Sequence, residues 1–408
     1  MPRSRWSYHN FTLLVALTGI FCQAFPSNGQ TITVTGSRAV ERYVICHAVV
    51  KGKRGVAPTA VECGGLTLPA QSQRVAKGFE IIFVIPELKS AETKTFTTKY
   101  ASNRMSIKPA VFVIQHETSG VDIQVNGHPF TTYDTKTGPN KPYFNPIFAP
   151  GDALITRKYP FENVVGESHD HPHHRGLWFT HGSVNGEDYW SEVGIKAKTV
   201  NTGVSALVSG AVYGRFVAST DWINGAGMKI GSDTRTVTVF PAGTDIIMDF
   251  EEAFKAGDQP VVFGDTKEGS FGIRLADSMR IVGGDGHIVM STGVKDGATW
   301  GKRAEWVDYY GSVGGKTVGV AILDNPGNLR FPTTWHVRDY GLFANNPFGL
   351  HDFNNDKKNP HLGDFTLEAG KIQMFKYRLL FHSGDTSAAR IAELWNGYAS
   401  PASVKVVE

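Results

Sequence analysis

The chain has 408 residues, 41% hydrophobic and 19% charged, an ordinary balance for a globular protein, and its length suits a division into two parts. A net charge of +3 is too small to imply nucleic acid or an anionic membrane surface as partner. No lysine/arginine run of the kind that grips phosphates occurs.

Arg3 and Arg5 precede an apolar run from Phe11 to Phe21, followed by Cys22, Gln23 and Ala24. A basic start, a short apolar stretch and a small residue read as a secretory signal peptide over residues 1–24, cleaved near Ala24. The run is too short for a permanent anchor, and the bulk of Ile20 and Phe21 argues against lipidation of Cys22. The expectation is an exported protein, periplasmic or extracellular, with no membrane span once the signal is removed. Cys46 and Cys63 would remain, either paired in an oxidising compartment or as two buried thiols. Neither suggests redox chemistry, because no Cys-x-x-Cys occurs.

Glycine and proline punctuate the rest of the chain, separating short runs rich in Val, Ile, Thr, Phe and Tyr. Thr31 to Thr35, Phe79 to Ile85, Val111 to Ile114, Thr234 to Phe240 and Asp245 to Phe250 are examples. The pattern predicts an all-β protein of many short strands. Residues 30–100 form a small β-rich N-terminal domain, ending in a polar stretch through Lys99 that reads as a connection or an edge hairpin. Residues 105–400 form a large antiparallel β-sandwich. Helical spacing of Ala388, Ile391, Leu394 and Trp395 predicts one short C-terminal helix over Ser387–Tyr398.

The segment from His169 to His181 holds five of the fourteen histidines, and imidazole is both a near-neutral titrating group and the commonest metal ligand. Pro172 bars its first half from a central strand. His169 to Arg175 therefore reads as a loop and Gly176 to His181 as a strand, with Leu177, Phe179 and His181 on one face and Trp178 and Thr180 on the other. Asn185-Gly186 predicts a hairpin turn that returns Glu187, Asp188 and Trp190 beside that strand.

Two further segments mix aromatic and ionisable groups: Asp265 to Arg274, with Lys267 and Glu268, and Trp335 to Gly341, with His336 and Arg338. Asn345, Asn346, His351 and Asp352 follow the second. His169, His171 and His173 or His174 offer nitrogen ligands for a metal, with a carboxylate to complete the shell. The same histidines suit acid–base work on hydroxyl groups equally well. Arg175, Arg274 and Arg338 can brace loops through carboxylates or hold substrate oxygens.

Tyr159-Pro160-Phe161, the block His169–His181 with Val184–Trp190, Asp265–Gly269, Trp335–Gly349 and Tyr377–Leu379 together resemble a bacterial family labelled PmoA-like, a domain of unknown function. The likeness covers most of the chain after residue 100. Where that pattern has Asp-His-Pro, this chain has Asp324-Asn325-Pro326. The resemblance implies a fold similar to the galactose-mutarotase-like supersandwich. It also implies export in polysaccharide-consuming bacteria, with sugars bound among histidines, carboxylates and tryptophans.

Two functional readings follow. The first is an exported carbohydrate-active enzyme, an epimerase, lyase or hydrolase acting on a sugar or glycoside. Its acid and base come from His174, His181, Glu187, Asp188 and His336. Arg175, Trp178, Trp190, Lys267, Glu268, Trp335, Arg338 and Asn346 hold the substrate. The second is a non-catalytic carbohydrate-binding protein on the same sandwich, and a metal-dependent oxidase or hydrolase is a further alternative. A divalent metal is the cofactor the histidines would suit.

Overall fold

The computed structural model describes residues 29–53, 55–100, 108–116, 120–136 and 138–407. The expected signal peptide, with Cys22, lies outside the described residues. Among those described, no helix is long and apolar enough to cross a membrane.

The predicted all-β class holds. Two antiparallel sheets, one of nine strands and one of eight, face each other over residues 111–383. Alternating side chains such as Phe144, Leu177, Phe179, Phe271 and Phe343 from one sheet, and Phe216, Phe250, Tyr377 and Leu379 from the other, fill one continuous core.

A smaller unit consists of a five-stranded and a three-stranded sheet around Ile32, Val34, Cys46, Ile81, Phe83 and Phe96. It takes in the last strand of the chain, Ser403–Val407, which pairs antiparallel with Thr31–Thr35 and lies outside the expected range 30–100. Of the polar stretch through Lys99, residues 89–92 are a connecting turn, and the remainder is not an edge. Thr93–Lys99 is an interior strand between Thr31–Thr35 and Ala60–Cys63, its threonines supplying β-branched side chains and Phe96 and Thr98 facing inward.

The C-terminal helix is Ile391–Ala399, starting later than its apolar spacing suggests. Arg390 sits in the left-handed region at φ 52°, which breaks any earlier helical turn. Ile391 and Leu394 pack with Ile82 of the small unit against Phe240, Ile247 and Leu380 of the eight-stranded sheet. The small unit is thereby docked on that sheet's outer face. The outer face of the nine-stranded sheet carries a separate apolar cluster, Tyr143, Trp178, Trp190, Leu342 and Ala344.

Cys46 is buried and Cys63 half-buried, and both are free thiols.

A candidate site on the outer face of the nine-stranded sheet

Leu177–His181 pairs with Gly269–Arg274, which pairs with Leu342–Asn345, which pairs with Trp335–Val337. Trp178, Gly272, Ala344 and His336 therefore form one row across the outer face. A Cβ on Gly272 would stand 2.9 Å from Cη2 of Trp190, so the glycine is what lets that indole lie on the sheet.

The Asn185-Gly186 turn forms as expected, at φ 51° and 79°. It brings Trp190 against Trp178 with ring centroids 4.7 Å apart. Its two acids are engaged elsewhere. Glu187 accepts the Gly225 backbone N–H, and Asp188 folds onto the N–H groups of Trp190 and Ser191 at 2.7 and 3.0 Å.

Arg157, 1% exposed, shapes the histidine loop by donating to the carbonyls of Tyr159, Ser168 and His171. Asp170 Oδ1 accepts from Arg157 at 2.5 Å and from Arg274 at 2.7 Å. Burial would raise the Asp170 pKa, but Arg274, His171 and Arg157 outweigh it and hold the carboxyl at about 2. Tyr340, His171, His174 and Trp178 then stack in succession at 5.2, 4.7 and 5.3 Å. His173 stands edge-on to His174 at 4.5 Å, while His169 lies apart on Tyr159 at 4.6 Å. The candidate ligands His169, His171 and His173 thus do not converge. Among the described residues no group of three His, Cys, Asp or Glu side chains is placed to hold a metal ion.

The two histidines facing this side have opposite polarity. Arg274 lies 3.2 Å from His174 Nδ1, and a guanidinium only donates, so Nδ1 accepts and the proton sits on Nε2. Burial first, then the charges of His173, Arg274, His171 and Arg157, keep its pKa well below 6.5. In His336, Nδ1 donates to the Lys267 carbonyl at 2.6 Å, leaving a lone pair on Nε2. Burial pushes its pKa down to about 4. Both rings are neutral at pH 7, one presenting a donor and the other an acceptor.

Neither Nε2 has a hydrogen-bond partner among the described residues, and the same holds for Trp178 Nε1, Thr180 Oγ1, Trp190 Nε1, Arg274 Nε and Asn145 Oδ1. Each unpartnered buried polar atom costs about 1–3 kcal/mol. Their gathering on one face marks a place where a ligand or ordered water completes the bonding.

Four expected site residues are committed to the framework. His181 lies on the inner face, its Nε2 2.7 Å from the Gly264 carbonyl and its Nδ1 3.3 Å from Ser270 Oγ, and is fully buried. Trp335 also points inward and donates to the Ala304 carbonyl at 3.0 Å. Asn346 spends its amide on the carbonyls of Thr266 and Lys267 and on the Phe348 N–H. Arg175 forks onto Glu192 at 2.8 and 3.0 Å, where buried Lys141 joins it at 3.1 Å.

Lys267, Glu268 and Arg338 instead form a partly exposed rim. Lys267 Nζ lies 3.4 Å from Glu268 Oε1, and Arg338 stacks over Tyr340 at 5.4 Å beside a groove of about 280 Å³. Sequence reasoning missed Arg157, Lys141, Asp170 and Glu192, and it left the Asp265–His351 contact out of the site. His351 Nδ1 is 2.8 Å from buried Asp265 and its Nε2 3.4 Å from Asp352, on a short helix whose Phe353 covers His336.

The molecule is thus an antiparallel β-sandwich protein with a histidine- and tryptophan-lined candidate site. It belongs to the family of unknown function DUF6807, whose model matches residues 120–396. Among solved structures it is similar to an alpha-mannosidase from Enterococcus faecalis V583, at 11% identity and TM-score 0.41 over 94% of this chain and 46% of that one. A glycosyl hydrolase family 38 protein from Enterococcus faecalis gives 12% identity and TM-score 0.39 over 94% and 48%. A galactose mutarotase related enzyme from Lactobacillus acidophilus gives 11% and 0.30 over 67% and 97%. The chain spans about half the length of the two enterococcal proteins. No curated protein matches it.

Proposed function

We propose that this protein is exported and acts on a sugar or glycoside by general acid–base chemistry on the outer face of the nine-stranded sheet. The observation that carries the reading is the set of buried, unpartnered hydrogen-bonding atoms aligned there, donors at Trp178, Trp190 and His174 and a lone pair at His336. Polyhydroxylated ligands need both kinds of partner, and indoles beside them suit the apolar face of a pyranose. His336 Nε2, unprotonated at neutral pH, is the proton acceptor. Glu268 and His351 at the rim are the candidates for the complementary acid. Export rests on the basic start and apolar run of residues 1–24. The PmoA-like label read from the motifs is a proposal of kinship and adds no reaction.

Turnover of a panel of glycosides, uronides and oxidised sugars, read by reducing-end assay and mass spectrometry, tests the reading. A substrate should emerge whose turnover falls about 10²–10⁴-fold in His336→Ala, the usual worth of a positioned acid or base. Binding without turnover across the panel would leave a carbohydrate-binding protein instead, and neither binding nor turnover would reject a sugar role.

A further inference from the structure

We propose that the sugar this site takes carries an acceptor-only oxyanion, a carboxylate as in a uronic acid or a sulfate ester, held against the histidine loop by His174, Trp178, Trp190 and Arg274. The inference rests on the sugar reading above and names the substrate class within it.

The first argument is donor balance. His174 and Trp178 are 1% exposed and Trp190 and Arg274 fully buried, and each has a nitrogen without a partner among the described residues. The tautomer of His174 makes its free nitrogen an N–H, and indole and guanidinium nitrogens only donate. The three rings touch one another, at 5.3 Å for His174–Trp178, 4.7 Å for Trp178–Trp190 and 5.9 Å for His174–Trp190, and Arg274 sits on His174. The unpartnered acceptors of this face, Asn145 Oδ1, Thr180 Oγ1 and His336 Nε2, are fewer than these four donors, so a hydroxyl, which brings a proton of its own, matches the set poorly. A carboxylate or sulfate brings only acceptors.

The second argument is charge. Asp170 serves two cations, Arg157 and Arg274, and Glu192 serves two more, Lys141 and Arg175. Asp188, the next carboxylate near Lys141, already accepts two backbone N–H groups. These four cations thus share two carboxylates. Burial and neighbouring positive charge bring His173 to about 4, and Arg274 to about 10. An incoming anion would give these cations a further partner and satisfy the orphaned donors together.

Isothermal titration of the wild-type protein with glucuronate, galacturonate, glucose 6-sulfate, glucose and galactose tests this. The expected result is that an anionic sugar binds at least tenfold more tightly than its neutral counterpart. Trp178→Phe and Trp190→Phe, which keep an aromatic ring and delete the N–H, should each cut that preference at least threefold, the anionic sugar losing more affinity than its neutral counterpart. Arg274→Gln should remove the preference wherever circular dichroism shows it folded. The uronate and sulfate arms identify which oxyanion is preferred. Equal affinity for neutral and anionic sugars, or a preference untouched by both tryptophan variants, would overturn the oxyanion proposal and leave the sugar reading standing. Failure of every sugar to bind would instead reject that reading.

Discussion

Arg274 reaches across from the neighbouring strand to Nδ1 of His174 at 3.2 Å, and this one contact decides what the imidazole can do. With Nδ1 accepting, the ring is held neutral and presents only an N–H outward. It polarises or orients a ligand oxygen and does not serve as a base. Nitrogen-resolved NMR of the histidine rings should show His174 as the neutral Nε2–H tautomer at pH 7 and still at pH 6. An imidazolium signal for His174 at pH 6 would contradict the assignment.

Burial of several histidines also gives the fold a pH dependence with a definite sign. His181 and His336 are brought to about 4 chiefly by burial. The unfolded chain takes up protons on these groups as pH falls through about 6.5, while the fold resists until about 4, so stability is complete above 6.5 and is lost on acidification. At 1.36 kcal/mol per pKa unit, each contributes on the order of 3 kcal/mol. His173 and His174 act in the same direction. His382, where Asp308 outweighs burial and raises the pKa, Asp324, raised to about 6 by burial, and Glu252, which burial raises well above 4.5, act oppositely but are fewer. The melting temperature should therefore fall between pH 7.5 and pH 5, and His336→Gln should flatten the slope. A melting temperature that rises on acidification would reject the account.

Local patterns were readable and their partners were not. The two-residue alternation of Leu177 to His181 and the Asn185-Gly186 turn are encoded within a few residues, so the strand, its faces and the hairpin are legible directly. The alternation assigns His181 to the face of Leu177 and Phe179, but it does not say that this face is the core. Trp335 was misassigned for the same reason. The loop that shapes the histidines depends on Arg157, Asp170 and Arg274, which come from three separate segments and meet only through sheet pairing. The pairing of Thr31–Thr35 with Ser403–Val407 spans nearly the whole chain, and nothing in either strand announces the other.

The shared carboxylate of Asp170 is the first place where that long-range architecture can be broken. Asp170→Asn leaves the buried guanidiniums of Arg157 and Arg274 without a counter-charge. Removing one partner of a buried ion pair costs about 3–5 kcal/mol, and the 39% exposure of the Asp170 side chain places the effect at the lower end. Urea unfolding should show a loss of about 3 kcal/mol. A loss below about 1 kcal/mol would mean that water already balances the two arginines.

Gly272 offers a test of the aromatic platform that leaves every charge in place. In Gly272→Ala the new methyl falls 2.9 Å from Cη2 of Trp190 and 3.4 Å from Ala344 Cβ. The indole must shift, because the sheet backbone beneath it is fixed by pairing on both sides. Overpacking of this kind costs about 1–3 kcal/mol. Tryptophan emission should change and ligand affinity should fall, with the fold retained by circular dichroism. Unchanged emission and affinity would show that Trp190 does not line the site.

The two cysteines give a final check, on the small unit. Cys46 faces its core, where burial, helped by the charge of Glu41, pushes the thiol up to about 12. Thiolate is the reactive form, so this group should be inert to a disulfide reagent at pH 8. Cys63, half-buried at the end of strand Ala60–Cys63, is open to reagent by comparison. In protein lacking residues 1–24, native chains should titrate one thiol and unfolded chains two. Removing Cys63 by Cys63→Ser should abolish the native reaction. Equal rates for both thiols in the native protein would mean that the small sandwich opens on the timescale of the reaction, and that Cys46 is not held in a closed core.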